Sequence, residues 1–226
     1  QSDGIIIEDA LNTIVDHCDV RKSQGNGIHI GGATAARVVN NLVRDANLGG
    51  STNGHYSGCI AISVNTQDAV IANNYLENGR SGIGDFTGID NSYCTITGNT
   101  VTNCTYGMSG IFVDKSGGFL TVSDNKFLKC PSGIVIENTA GSPAFEVGPY
   151  LWDFHDNILE DTPLILIAGY KIRFANNIVT NSTTTGTLID IERSQGVQVI
   201  GNYVYGGGQG ILVNATIATN ASNCLI

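Results

Sequence analysis

The chain has 226 residues, 42% of them hydrophobic and only 14% charged, with a formal net charge of −9. That length suits one domain, spanning residues 1–226, with a sizeable core. No Lys/Arg cluster is present to neutralise a row of phosphates, which argues against nucleic acid, and no apolar run reaches the roughly 18 residues of a membrane span.

Glycine is heavy (29) and proline light (4), the composition of many short strands joined by tight turns. Two phrases alternate along the chain. In order they run GIII (4–7), VDHCDV (15–20), GIHI (27–30), VVNNLV (38–43), CIAI (59–62), IANNYL (71–76), GIGD (82–85), ITGNTV (96–101), GIFV (110–113), VSDNKF (122–127), GIVI (133–136), FHDNIL (154–159), PLIL (163–166), FANNIV (174–179), LIDI (188–191), VIGNYV (199–204) and GILV (210–213). Apolar residues alternate within each phrase, so each is a strand with one buried face. Units of about 25 residues cannot bury such a face alone and must stack, each strand pairing in parallel with its equivalent one coil away.

Stacking turns equivalent positions into columns. The fourth place of the longer phrase holds Asn41, Asn74, Asn99, Asn125, Asn157, Asn177 and Asn202, with Cys18 in the first copy. A side-chain amide offers both donor and acceptor, so this column is expected to hydrogen-bond along the axis as a ladder. The whole chain resembles the right-handed, single-stranded parallel β-helix of the pectate-lyase-like superfamily, which carries such a ladder at its tightest turn. That resemblance implies an all-β solenoid of about eight to nine coils. It leaves the chemistry open, because the fold serves lyases, hydrolases, epimerases, tailspikes and adhesins.

Ladder spacings of 23, 33, 25, 26, 32, 20 and 25 place insertions at 47–58 and 138–152. Long loops are uncommon unless functional, so these two are expected to wall a groove over the outer face of the first sheet. Counting from the short phrases puts Ile6, His29, Ala61, Gly84, Phe112, Val135, Ile165, Asp190 and Leu212 in the outward middle column. The place after the phrase then gives Asp114 and Glu137 on adjacent coils, and strict register points Asp85 inward unless its strand bulges.

Asp85, Asp114 and Glu137 are therefore the candidate acid–base set for glycoside cleavage, with Ca2+ bound by shared oxygens as an alternative and a solvated acidic edge as the bland reading. His55 and Tyr56 on the first insertion, with Phe112, are candidate sugar contacts. Lys115 would relieve stacked acids, and Asp190, Glu192 and Arg193 form a second charged patch, read either as substrate contacts or as a salt-bridged surface. The phrase IVDHCDV resembles the WIDHC of pectate lyases, which would carry a Ca2+-binding role to Asp16. The arginine setting R-x-P-x-x-R of those lyases is absent, as are the NTD, DD, GHG and RIK set of polygalacturonases and the DPHE of alginate epimerases.

The cysteines show no metal-ligand spacing and fall on inward columns, so buried free thiols are expected, a Cys104–Cys130 bridge between stacked coils being the alternative. Three functions follow: a polysaccharide hydrolase or lyase, a viral tailspike or receptor-binding β-helix, or a non-catalytic adhesive or structural β-helix. The tailspike reading carries a homotrimer, and a monomer is the alternative state. The expected partner is a polysaccharide or glycan, and the expected location extracellular, secreted or at a virion surface. Both ends lack a capping segment, so the coil is expected to continue in a longer chain or to be covered by partners.

Overall fold

The computed structural model describes residues 3–47, 58–63, 65–84, 93–112, 119–138, 151–167, 169–182, 185–192, 194 and 196–214, with the backbone course alone at 110–112, 136–138 and 214. Every element among them is a β-strand, and the strands form three parallel sheets of nine, eight and eight. Each strand pairs with its counterpart in the neighbouring coils, from Ile5–Glu8 to Gln209–Asn214 in the first sheet, Ile14–Asp16 to Gln198–Ile200 in the second and Asp19–Arg21 to Tyr203–Gly206 in the third. The expected parallel β-helix is the fold.

The ladder forms throughout. Nδ2 of Asn41, Asn74, Asn99, Asn125, Asn157 and Asn177 donates to Oδ1 of the next ladder residue at 2.9–3.0 Å. The same Oδ1 accepts the backbone N–H of the preceding ladder residue, and Nδ2 also donates to a carbonyl one coil back, as Asn125 does to Ile96. The residue before each ladder position has a left-handed backbone: His17, Asn40, Asn73, Gly98, Asp124, Asp156, Asn176 and Gly201 all have φ between 52° and 66°. Asn, Asp and Gly enter that region most cheaply, which explains the recurring NN, DN and GN pairs.

Inward columns fill one core, with Trp152 buried as its column requires and Phe154 stacked on Phe174 at 5.0 Å. The glycine that opens the short phrase is a packing requirement. A Cβ on Gly27 or Gly82 would strike the third-sheet side chains Val43 and Val101, and one on Gly107 would lie 2.9 Å from Phe127 Cδ1.

That requirement corrects the sequence reading of one coil. Gly107, not Gly110, occupies the glycine column, and Met108 takes the inward place between Ile83 and Ile134. The outward residue of this strand is Ser109, paired with Val135, while Phe112 pairs with Asn138. Glu137 consequently has Ile111 beside it in register, so the stacking of Asp114 on Glu137 is overturned. The outward places Ala61, Gly84 and Ser109 are buried, whereas Ile6 in the same column is exposed; the insertions expected to wall the groove lie almost wholly outside the described residues.

Among the described cysteines, Cys18, Cys59, Cys94, Cys104 and Cys130 are all free thiols, so no Cys104–Cys130 bridge exists. Burial pushes the Cys94 thiol up to about 11 and Cys130 up to about 12, and a hydrogen bond to Cys59 followed by burial raises Cys104. Cys59 stands where other coils have glycine because Gly79, lacking a Cβ, leaves room for its Sγ.

Candidate functional site

Three polar residues meet at the outer face of the first sheet near its beginning. His29 points outward from Ile28–Gly31, and on the next coil Gly31 pairs with Ser63 while His29 pairs with Ala61. Small neighbours at Gly31 and Ala61 let the imidazole reach diagonally across the pair. Its Nε2 lies 2.7 Å from Ser63 Oγ, and its Nδ1 lies 3.3 Å from Asp3 Oδ2.

Asp3 is held in turn. Its Oδ1 accepts the Asn26 backbone N–H at 2.6 Å, and Asn26 Oδ1 accepts the Gly58 N–H at 3.0 Å, tying three coils together at one corner. A Cβ on Gly25 would collide with Asp3 Oδ1, so glycine is what lets the carboxylate sit there. An ionised carboxylate only accepts, which assigns the proton of a neutral His29 to Nδ1 and leaves the Nε2 lone pair facing the Ser63 hydroxyl. The side chains of His29 and Asp3 are 20% and 15% exposed and Ser63 is 9% exposed, so the relay is mostly desolvated at the edge of solvent.

Sequence columns contained His29 and Ser63 but singled out only the acids. The missed signal was a histidine in a column whose other members, Ser109 and Asp190 apart, are small or apolar, two places from a glycine on its own strand.

The sequence-derived candidates fare differently. Asp85, His55, Tyr56, Asp114, Lys115 and Arg193 lie outside the described residues, and Phe112 and Glu137 are placed by backbone only. Asp190 sits outward between Ile165 and Leu212, as expected. Burial raises its pKa above 3.8, and its Oδ1 has no hydrogen-bond partner. Asp190 and Glu192 are in no ion pair with another described residue, and Arg193, the cation of that expected patch, lies outside the described residues.

Asp16 is lowered chiefly by the Asn40 amide, which donates to it at 3.0 Å, with His17 alongside at 2.6 Å. Among the described residues no group of three or more His, Cys, Asp or Glu side chains converges as a metal site.

A different kind of surface feature lies at the corner leading into the second sheet. Tyr93 and Phe119, on successive coils, stack at 4.8 Å with an interplanar angle of 15° while 62% and 43% exposed. Tyr93 has φ of 60°, unusual for a bulky residue and carrying about 1–3 kcal/mol of strain. Tyr203 and Tyr205 form a second exposed stack at 6.5 Å on the third sheet.

The family model for the right-handed β-helix region matches residues 1–146. The chain belongs to that family. Among solved structures, this β-helix is similar to the surface protein and adhesin PfbA of Streptococcus pneumoniae, at 15% identity with a TM-score of 0.65, covering 92% of this chain and 68% of that one. None of the curated proteins matches this chain. No helix among the described residues of this β-helix is long and apolar enough to cross a membrane.

Proposed function

We propose that this β-helix is a surface or extracellular glycan-binding protein that engages polysaccharide through exposed aromatic stacks on its flank. The observation that carries the reading is the Tyr93–Phe119 pair: two rings left in water, one on a strained backbone, form a flat apolar plate of the kind that sugar rings stack against. The net charge of −9 favours a neutral glycan over a strongly acidic one.

Affinity electrophoresis against a panel of neutral and acidic polysaccharides tests the proposal. Retention by a neutral glycan is expected, weakened about tenfold by Tyr93→Ala with Phe119→Ala. Equal retention of the double variant, or none by the parent protein, refutes it. Cleavage by Asp85, Asp114 and Glu137 is followed in the same samples by new reducing ends and absorbance at 235 nm. Asp85→Asn, Asp114→Asn and Glu137→Gln then report whether those carboxyls contribute.

A further inference from the structure

The geometry points to an acyl-transfer site at Ser63, with His29 as its general base and Asp3 as the residue that positions the base, acting on small carboxylic esters. The acceptor of the Ser63 proton is in place at 2.7 Å, and the opposite ring nitrogen faces a carboxylate at 3.3 Å, itself fixed by the Asn26 N–H. This is the order of roles that turns a hydroxyl into a nucleophile: acid, imidazole, alcohol.

The hydroxyl is uncrowded on the side of Gly31 as well. A Cβ built on Gly31 would lie 3.1 Å from Ser63 Oγ and 3.7 Å from His29 Nε2. Glycine at 31 therefore leaves its side of the Ser63 hydroxyl and the His29 ring without a side chain in the way of an incoming ester. A second acceptor, the Ile30 carbonyl, lies 3.4 Å from Ser63 Oγ, longer than the histidine contact and weaker as a competitor for the proton.

The step balances without any added reagent. Ser63 Oγ bonds to the ester carbonyl carbon while its proton passes to Nε2, and the alkoxide leaves with that proton as an alcohol. Water then attacks the acyl-serine, giving its proton to Nε2, and the carboxylic acid departs as Ser63 regains its hydrogen. For a natural substrate the inference rests on the glycan reading: an O-acyl group carried by the bound sugar would be the ester, and acetate the product.

Two generic probes test the site without that reading. A fluorophosphonate should label the folded protein once, at Ser63 by peptide mass, and p-nitrophenyl acetate should be hydrolysed. Ser63→Ala should abolish the label and lower the rate at least about 100-fold. His29→Gln should do nearly the same, and Gly31→Ala should slow hydrolysis by crowding the Ser63 hydroxyl while the far-ultraviolet spectrum stays parental. Asp3→Asn should cut the rate about tenfold or more and shift the His29 tautomer seen by 15N NMR, which a merely structural aspartate would not do. No label on the parent protein, label at another residue, or a Ser63→Ala rate equal to the parental one overturns the inference. Polysaccharide retention is measured separately, so binding without hydrolysis defeats only this site, and hydrolysis without retention defeats only the glycan reading.

Discussion

Replacing Asn125 by alanine removes one rung of the ladder, and the cost follows from its contacts. Nδ2 donates to Asn157 Oδ1, Ile96 O and Ser123 O at 2.9–3.0 Å, and Oδ1 accepts both the backbone N–H and Nδ2 of Asn99 at 2.9 Å. Asn99 Nδ2 keeps the Ile71 and Thr97 carbonyls, and Asn157 Oδ1 keeps the Asn125 N–H. The Asn99 N–H loses its acceptor in a fully buried site, costing about 1–3 kcal/mol, and the lost amide contacts add about 1 kcal/mol each before relaxation. A net loss of about 3–5 kcal/mol is expected, a large share of the roughly 5–15 kcal/mol that holds a domain. Urea unfolding followed by far-ultraviolet circular dichroism measures it, and amide exchange at Asn99 localises it. Asn125→Asp keeps an acceptor for Asn99 but faces a carboxylate toward three oxygens, so it should be worse than alanine at pH 7 and recover on acidification. A loss under about 1 kcal/mol with unchanged Asn99 exchange would refute the view that the ladder carries this turn.

Gly82→Ala should destabilise by about 1–3 kcal/mol in urea, because its Cβ meets Val101 and, at 2.7 Å, the rigid Gly107 carbonyl. Iodoacetamide at pH 8 should modify none of Cys94, Cys104 and Cys130 in the folded protein by peptide mass, while the half-buried Cys18 reacts; all should react in urea. Burial favours the neutral form of Asp190, so its contribution is fully present below 3.8 and lost as pH rises through the raised folded value. Asp190→Asn should therefore gain on the parent protein in urea midpoint at pH 7 and lose that gain near pH 3.

The fold was legible because a solenoid writes its physics in columns. A ladder amide, a left-handed residue before it and a glycine beneath a third-sheet side chain are each demanded by neighbours one coil away, so each recurs in the sequence. One coil shows where phrase matching fails. GIFV at 110–113 copies the short phrase by letter, yet Gly107 lies eight places after Asn99, the interval that also separates Asn74 from Gly82, Asn125 from Gly133 and Asn202 from Gly210. Distance from the ladder, set by the length of backbone around the third sheet, outranks the resemblance of four letters. The consequence fell on function: a slip of three places put Asp114 beside Glu137, where the backbone has Ile111.

Side-chain constellations are a different matter, since columns reveal which residues share a face but not which atoms converge. Asp3, His29 and Ser63 come from three coils and three different columns, and no spacing rule joins them. They meet because the positions around them are small: Gly25 admits the carboxylate, Ala61 leaves the imidazole room, and Gly31 opens the space beside the hydroxyl. In a stack where every place is shared with a neighbour above and below, removing a Cβ is the only way to make room without breaking the core. Glycines on outward places, where no third-sheet side chain requires them, are accordingly the positions at which such a β-helix can hold chemistry, and Gly31 is one of them.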